Sequence, residues 1–515
     1  MRGIIPTDRD ISRVYLPCVI YGIRHHEGFA KSRAVEELCA TSTDKIYARA
    51  RNARLIMSNQ VPTMSTDDVK PYCIWYPDVA SKDTYRSLAK QYPDMVYTVG
   101  RACAVAGYDD LYHELNILPE VSIAEEARDN ASKPGSKAIF DHIMSQPACY
   151  AILDDYAMVA NLKNPRAPAF MNGDTAVRSL LDIRISVDKI KAWRPEYFDI
   201  VEDYFIAETS SELTHEDFQA LEHVDMMYTP LPLHLPTVTK DPLILMAAYE
   251  GNLDRYIRLR RPILLKQEEK AIIRGIYHNT TFAKYWSLQD LSKYKRAREI
   301  RRATIARFIM VNDLSHITPT TPAKEDMPGL IWWPLIPDNV TLRELARRRP
   351  DMKLQVAMTC IASNNQLVWD ELKPEPCLEL WQIAEHQWMT NANHPFRSYY
   401  TDYLERREAE NKDRAGEHYG SYSTDVDLGQ AAAVDKEPTS TYMRERIDFP
   451  MSTQAFMSVY AVGWMSVAAD WELFICSSEE QRQEARDRGG LFLFYGDRLP
   501  VTFDQSEHGG EEPDS

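Results

Sequence analysis

The apolar residues of this chain fall at helical spacing in short runs, and the runs come in pairs. In 341–352, TLRELARRRPDM, Leu342, Leu345 and Ala346 recur at i, i+3 and i+4. That spacing predicts a helix, with Thr341 as its N-cap and Pro350 as its stop. The next stretch, 352–372, predicts a short apolar helix, a polar Ser-Asn-Asn turn, and a second helix carrying Leu367, Val368 and Leu372. Residues 271–286 repeat this rhythm. An αα-hairpin of this kind cannot cover its own apolar face, so neighbouring hairpins are expected to stack. Minor β pieces are predicted at 182–187 and 491–495. The longest apolar run, 455–469, has 15 residues and ends at Asp470. It falls short of the roughly 20 needed to span a bilayer, so a buried helix is expected and no membrane contact.

The pattern occurs twice. At an offset of 257, residues 74–115 and 331–372 align without a gap and share 14 of 42 positions, among them Trp75/Trp332, Cys103/Cys360 and Glu114/Glu371. Upstream, 19–59 and 272–312 align at an offset of 253 with 15 identities in 41, including Gly22/Gly275, His25/His278 and Arg54/Arg307. The four extra residues of the second copy fall in the Pro/Thr-rich segment 316–329, where insertion costs little. Weaker echoes follow at 260 (Ile123-Ala124-Glu125 against Ile383-Ala384-Glu385) and 269 (Phe205-Ile206 against Phe474-Ile475). The expected organisation is two tandem homologous halves, 1–240 and 241–515, the first shortened at its start. Segments 408–442 and 504–515 are polar or acidic, poor in large aliphatics, and predicted to be disordered.

At 515 residues and 44% apolar content, the chain is large enough to bury a substantial core. Its net charge of −16 argues against non-specific nucleic-acid binding by the whole chain. The charge is uneven, however: 241–350 carries +8 and the rest −24. The eight cysteines include no CxxC pair and are too dilute for a disulfide scaffold. The first ten residues have no apolar core resembling a signal peptide, so an intracellular protein is expected.

DPLILMAAYEGNLDRYIRL, from Asp241, resembles an ankyrin repeat, with Ala247-Ala248 in the first helix, Gly251 at the turn and a second helix after it. Ile244 or Leu245 stands where the consensus has His. The whole arrangement also looks like a group of fungal ankyrin-like proteins. The resemblance implies a mainly α fold of stacked αα-hairpins and protein binding on a concave face. It supplies no activity.

No phosphate-binding Gly loop, dinucleotide fingerprint, nucleophile elbow or His-Glu-x-x-His helix is present. His25-His26-Glu27 could supply a base or metal ligands, but the second copy, His278-Asn279-Thr280, keeps the first His alone. A shared packing role accounts for that better. His386 and His394 lack close ligand spacing, so no metal and no cofactor are expected. Glu114 and Glu371 read as helix-end acids, and Cys103 and Cys360 as buried thiols.

Two features are candidates for binding. Arg298, Arg301 and Arg302 share one helix face and could hold phosphates or an acidic peptide, the plainer reading being a solvated or internally paired face. Trp332 and Trp333, in Ile-Trp-Trp-Pro, could grip a ligand; the alternative is that Trp75 and Trp332 cap the core where an extended segment enters a helix. The function expected is therefore a non-catalytic scaffold whose partner is another protein. The alternatives are an enzyme with a cryptic site between the halves, or a phosphate or nucleic-acid binder using 293–307.

Overall fold

A computed structural model describes residues 12–43, 45–173, 226, 229–238, 240–262, 264–265, 268–332, 335–385 and 397–412. They are mainly helical, with one two-stranded sheet among them. That sheet pairs β1, Leu153–Asp154, antiparallel with β2, Val159–Ala160. The strands expected at 182–187 and 491–495, the apolar run 455–469, and the echo at 205/474 lie outside the described residues.

The described residues divide into two compact units, one holding those of 12–240 and 261–265, the other those of 241–260 and 268–412. The first unit runs α1 (Ser12–His25), α2 (Glu27–Ala30), α3 (Arg33–Thr41), α4 (Ile46–Met57), α5 (Lys82–Gln91), α6 (Val96–Ala106), α7 (Asp109–Leu115), α8 (Val121–Asp129) and α9 (Pro134–Met144). The second runs α10 (Asp241–Glu250), α11 (Leu253–Leu259), α12 (Glu268–His278), α13 (Thr280–Ser287), α14 (Ala297–Met310), α15 (Asn339–Arg348), α16 (Lys353–Ala362), α17 (Gln366–Leu372), α18 (Leu378–Glu385) and α19 (Arg397–Lys412).

From α5 onward the two units are punctuated alike. α5 and α15, the 3₁₀ turns Pro93–Met95 and Pro350–Met352, and α7 and α17 each begin and end 257 residues apart. The residue before each proline is driven out of the helical region, and each long helix stops there. α8 and α18 also start 257 apart, so the Ile-Ala-Glu echo at 260 is three residues out of register. Thr341 is not the N-cap of α15. Asp338 takes that position, because its N–H bonds Asn312 Oδ1 at 2.8 Å and its carbonyl accepts from Leu342 N at 3.0 Å; Thr341 is buried inside the first turn. The units differ near the start, where α2 and α3 are separate helices and α13 is one.

Helices stack through close backbone contact. α12 packs on α10, and its Gly275 meets the α10–α11 turn, where a Cβ would lie 2.0 Å from the Ala248 carbonyl oxygen. Gly251 closes that turn at φ +68°, a left-handed conformation that glycine adopts without strain. The first unit uses the same device at Gly107 (φ +80°) between α6 and α7, with Gly135 of α9 seated against it. Its apolar core lies in two clusters: one around Ile20, Ile23 and Phe29, the other from Ile56 through Leu88 and Ile139 to Met171. The segment predicted to be disordered from 408 begins in helix, since 408–412 belong to α19 and Glu408 accepts a hydrogen bond from Trp381 Nε1 at 3.2 Å. Residues 413–442 and 504–515 lie outside the described residues.

Candidate interaction surface

The candidate surface grows out of the first turns of α15 and α17. Those turns are tied together, because Asn339 and Asn365 are hydrogen-bonded side chain to side chain. Asn365 also caps α17, accepting from Val368 N at 3.3 Å. α15 buries Thr341, Leu342, Leu345 and Ala346, which turns Val340 away from the core. Val340 is 72% exposed and Leu367, in the first turn of α17, is 58% exposed. Leu335 and Ile336, just before α15, are also exposed. Single exposed aliphatics are ordinary; four along one edge form the kind of patch that marks contact with another molecule.

The first unit has the same edge, with aspartates at three of its four positions. At an offset of 257, Asp78, Val79, Asp83 and Asp110 stand where Leu335, Ile336, Val340 and Leu367 stand in the second. Each aspartate is ion-paired: Asp78 with Arg54 at 2.7 Å, Asp83 with Arg86 at 2.5 Å and Asp110 with Lys82 at 2.6 Å. The frame beneath is shared. Arg86 holds Glu114 through two bonds of 2.7 and 3.0 Å, and Arg343 holds Glu371 through two of 2.5 and 2.9 Å. These bonds explain the paired glutamates as clasps between hairpins.

Of the residues singled out in the sequence, Arg298 and Arg301 are about half exposed and share one carboxylate, Asp326, at 3.8 and 3.6 Å. Arg302 donates to the Glu325 carbonyl at 2.9 and 2.6 Å. All three sit over one acidic 3₁₀ turn, Lys324–Asp326. Trp332 is buried at 1% exposure, and Trp75 at 5% belongs to the core cluster that contains Leu88. Trp333, His386 and His394 lie outside the described residues. Cys103 and Cys360 are fully buried, and burial pushes both thiols up to about 12. His25 ends α1, stacked on Tyr21 at 3.9 Å. His278 ends α12, where burial and then the nearby Arg274 and Arg307 hold its pKa well below the usual value.

The first unit also encloses an ionic cluster that periodicity does not announce. Arg101 is fully buried on α6 and donates to Glu126 of α8, at 3.1 Å from Nη2, and to Asp155 beside β1. Tyr72 donates to Asp155 at 2.7 Å, and the guanidinium carbon lies 4.9 Å from the Trp75 ring centroid. Nearby, Glu120 caps α8 at Ile123 N and accepts from Ile152 N and Leu153 N; burial pushes its carboxyl up to about 7. In the second unit the position of Arg101 is Met358, buried and apolar. No group of three or more His, Cys, Asp or Glu among the described residues is placed to hold a metal. No helix among them is long and apolar enough to cross a membrane.

What these features define is a mainly helical protein with a hairpin-edge surface. Compared with known families, residues 75–187 match a family model described as the YKP1 C-terminal domain. The matched stretch takes in α5 to α9 and most of the buried ionic cluster. No curated protein and no solved structure matches the chain.

Proposed function

We propose that the chain is an internally duplicated, degenerate ankyrin-like scaffold that binds another protein without catalysis, through the apolar edge around Val340 and Leu367. The duplication is supported by hydrogen bonds that recur at the offsets of the sequence alignments. Arg54 Nη1 donates to the Arg24 carbonyl at 3.1 Å and Arg307 Nη1 to the Tyr277 carbonyl at 2.9 Å. Asn59 accepts from Ser81 N at 2.6 Å, and Asn312 from Asp338 N at 2.8 Å; both asparagines have positive φ. The ankyrin-like reading is supported by the helix–Gly–helix hairpins at Gly107 and Gly251, each closed by a glycine of a later helix. The binding reading rests on one observation. Where the first unit carries paired aspartates at three positions of this edge, the second exposes Leu335, Val340 and Leu367; the fourth position is an exposed aliphatic in both, Val79 and Ile336.

The test is comparative affinity capture from native extract with the parent chain and with V340D/L367D, which installs the first unit's residues. The reading predicts a partner retained by the parent and lost from the variant, with unchanged melting. Identical capture by both chains would end it. A phosphate or nucleic-acid reading draws on Arg298 and Arg301 sharing a single carboxylate. It predicts binding that weakens steeply with salt and flattens in R298A/R301A.

A further inference from the structure

The faces of α7 and α9 carry a pair of imidazoles that the scaffold reading does not use. His113 of α7 and His142 of α9 are both exposed, on helices that pack together, with ring centroids 4.6 Å apart at 84°. Tyr112 flanks both rings, at 6.0 and 6.2 Å. Neither imidazole is hydrogen-bonded to another described side chain or backbone group. In the second unit, 257 residues on, their places are taken by Asp370 and Tyr399, and there the Tyr399 hydroxyl bonds both Asp370 oxygens at 2.6 Å. The position is thus a clasp between successive hairpins. The second unit closes its own with a hydrogen bond; the first presents two nitrogen donors of the same type.

We propose that His113 and His142 form a two-imidazole site for a borderline divalent transition ion such as Zn²⁺ or Cu²⁺, which closes the clasp between α7 and α9. Imidazole suits such ions, and each ring offers a lone pair when neutral. Two imidazolium ions at this separation repel, and His142 is held below its usual pKa by burial and then by His113. An imidazole ligates through the lone pair of its neutral form, which the lowered pKa of His142 favours. The flanking carboxylates are engaged elsewhere: Asp110 with Lys82, Glu114 with Arg86, and Asp141 with Lys137. The remaining coordination positions are left to water or to a carboxylate supplied by another molecule. Because both helices are fixed in the fold, the ligands are brought together before the ion arrives, which lowers the ordering cost of binding.

The experiment compares the full-length parent with H142Y, which takes the second unit's residue at the same place, and with H113D/H142Y, which rebuilds its hydrogen bond. Other histidines and cysteines also bind these ions, so the readout is the difference between chains. In Zn²⁺ calorimetry the parent is expected to show one class of site that H142Y weakens by at least about tenfold, and that weakens as pH falls because protons compete with the ion for the ring nitrogens. With one equivalent of Cu²⁺, electron paramagnetic resonance should show coupling to two nitrogens in the parent, lost in both variants. Without metal, H113D/H142Y should melt with the parent, which separates loss of the site from loss of the fold. Equal Zn²⁺ affinity and equal nitrogen coupling in parent and variants would overturn the proposal.

Discussion

The two units share a frame and are finished in opposite ways. In the first, charge is placed both inside and along the edge: Arg101 is buried among Glu126, Asp155 and Tyr72, and Asp78, Asp83 and Asp110 line the hairpin tips in ion pairs. In the second, the same positions are Met358, Leu335, Val340 and Leu367. What is common to both is the set of residues that shape backbone: the prolines that stop α5 and α15, the positive-φ Asn59 and Asn312, the Arg–Glu clasps, and the buried tryptophans. The difference teaches that the shared residues specify the hairpins, while the unshared ones decide what each unit presents to its surroundings.

Exchanging residues between the units tests that division. The largest effect is expected at the buried ionic cluster. R101M imports the second unit's side chain but leaves Glu126 and Asp155 without their counter-charge, and should cost about 3–5 kcal/mol of stability. M358R should cost a similar amount by burying an unpaired guanidinium. Denaturant melts check both, and a parent-like R101M would mean that the cluster holds nothing together. Trp75→Ala and Trp332→Ala should each cost about 3–5 kcal/mol, because both indoles are buried; two parent-like melts would return the tryptophans to consideration as ligand-binding groups.

A smaller, pH-dependent difference belongs to the first unit. Burial disfavours the charge of the Glu120 carboxyl and raises its pKa to about 7 in the folded chain, from the ordinary 4.5. The folded state then binds the proton more tightly than the unfolded one. This contribution to stability is present below about pH 4.5 and is lost as pH rises through about 7. E120Q should flatten that decline in melting temperature between pH 5 and 8; a decline as steep as the parent's would place its origin elsewhere. The smallest effect is expected at the exposed clasps. Double-mutant cycles on Arg86/Glu114 and Arg343/Glu371 should each give a coupling below about 1 kcal/mol, and nearly the same in both units.

Much of the frame was legible in the sequence because helices, turns and stops are written locally: the spacing of Leu342, Leu345 and Ala346, the Ser-Asn-Asn turn, and Pro350. Thr341 misled because the cap is decided by a contact from a distant residue, the hydrogen bond from Asp338 to Asn312, which no local pattern displays. The buried Arg101 cluster escaped for the same reason, since its partners lie 25 and 54 residues away. The apolar edge was present in the alignment all along. Its signal lay in the mismatched columns, aspartate against leucine or valine, whereas identity draws the eye to the columns that build the frame.

The most direct test of the account is hydrogen–deuterium exchange on the full chain with and without the captured partner. The account predicts protection confined to 335–344 and 364–371, with the equivalent edge of the first unit, 78–87 and 107–114, unchanged. Protection over 297–302, or over the first unit's edge instead, would contradict it.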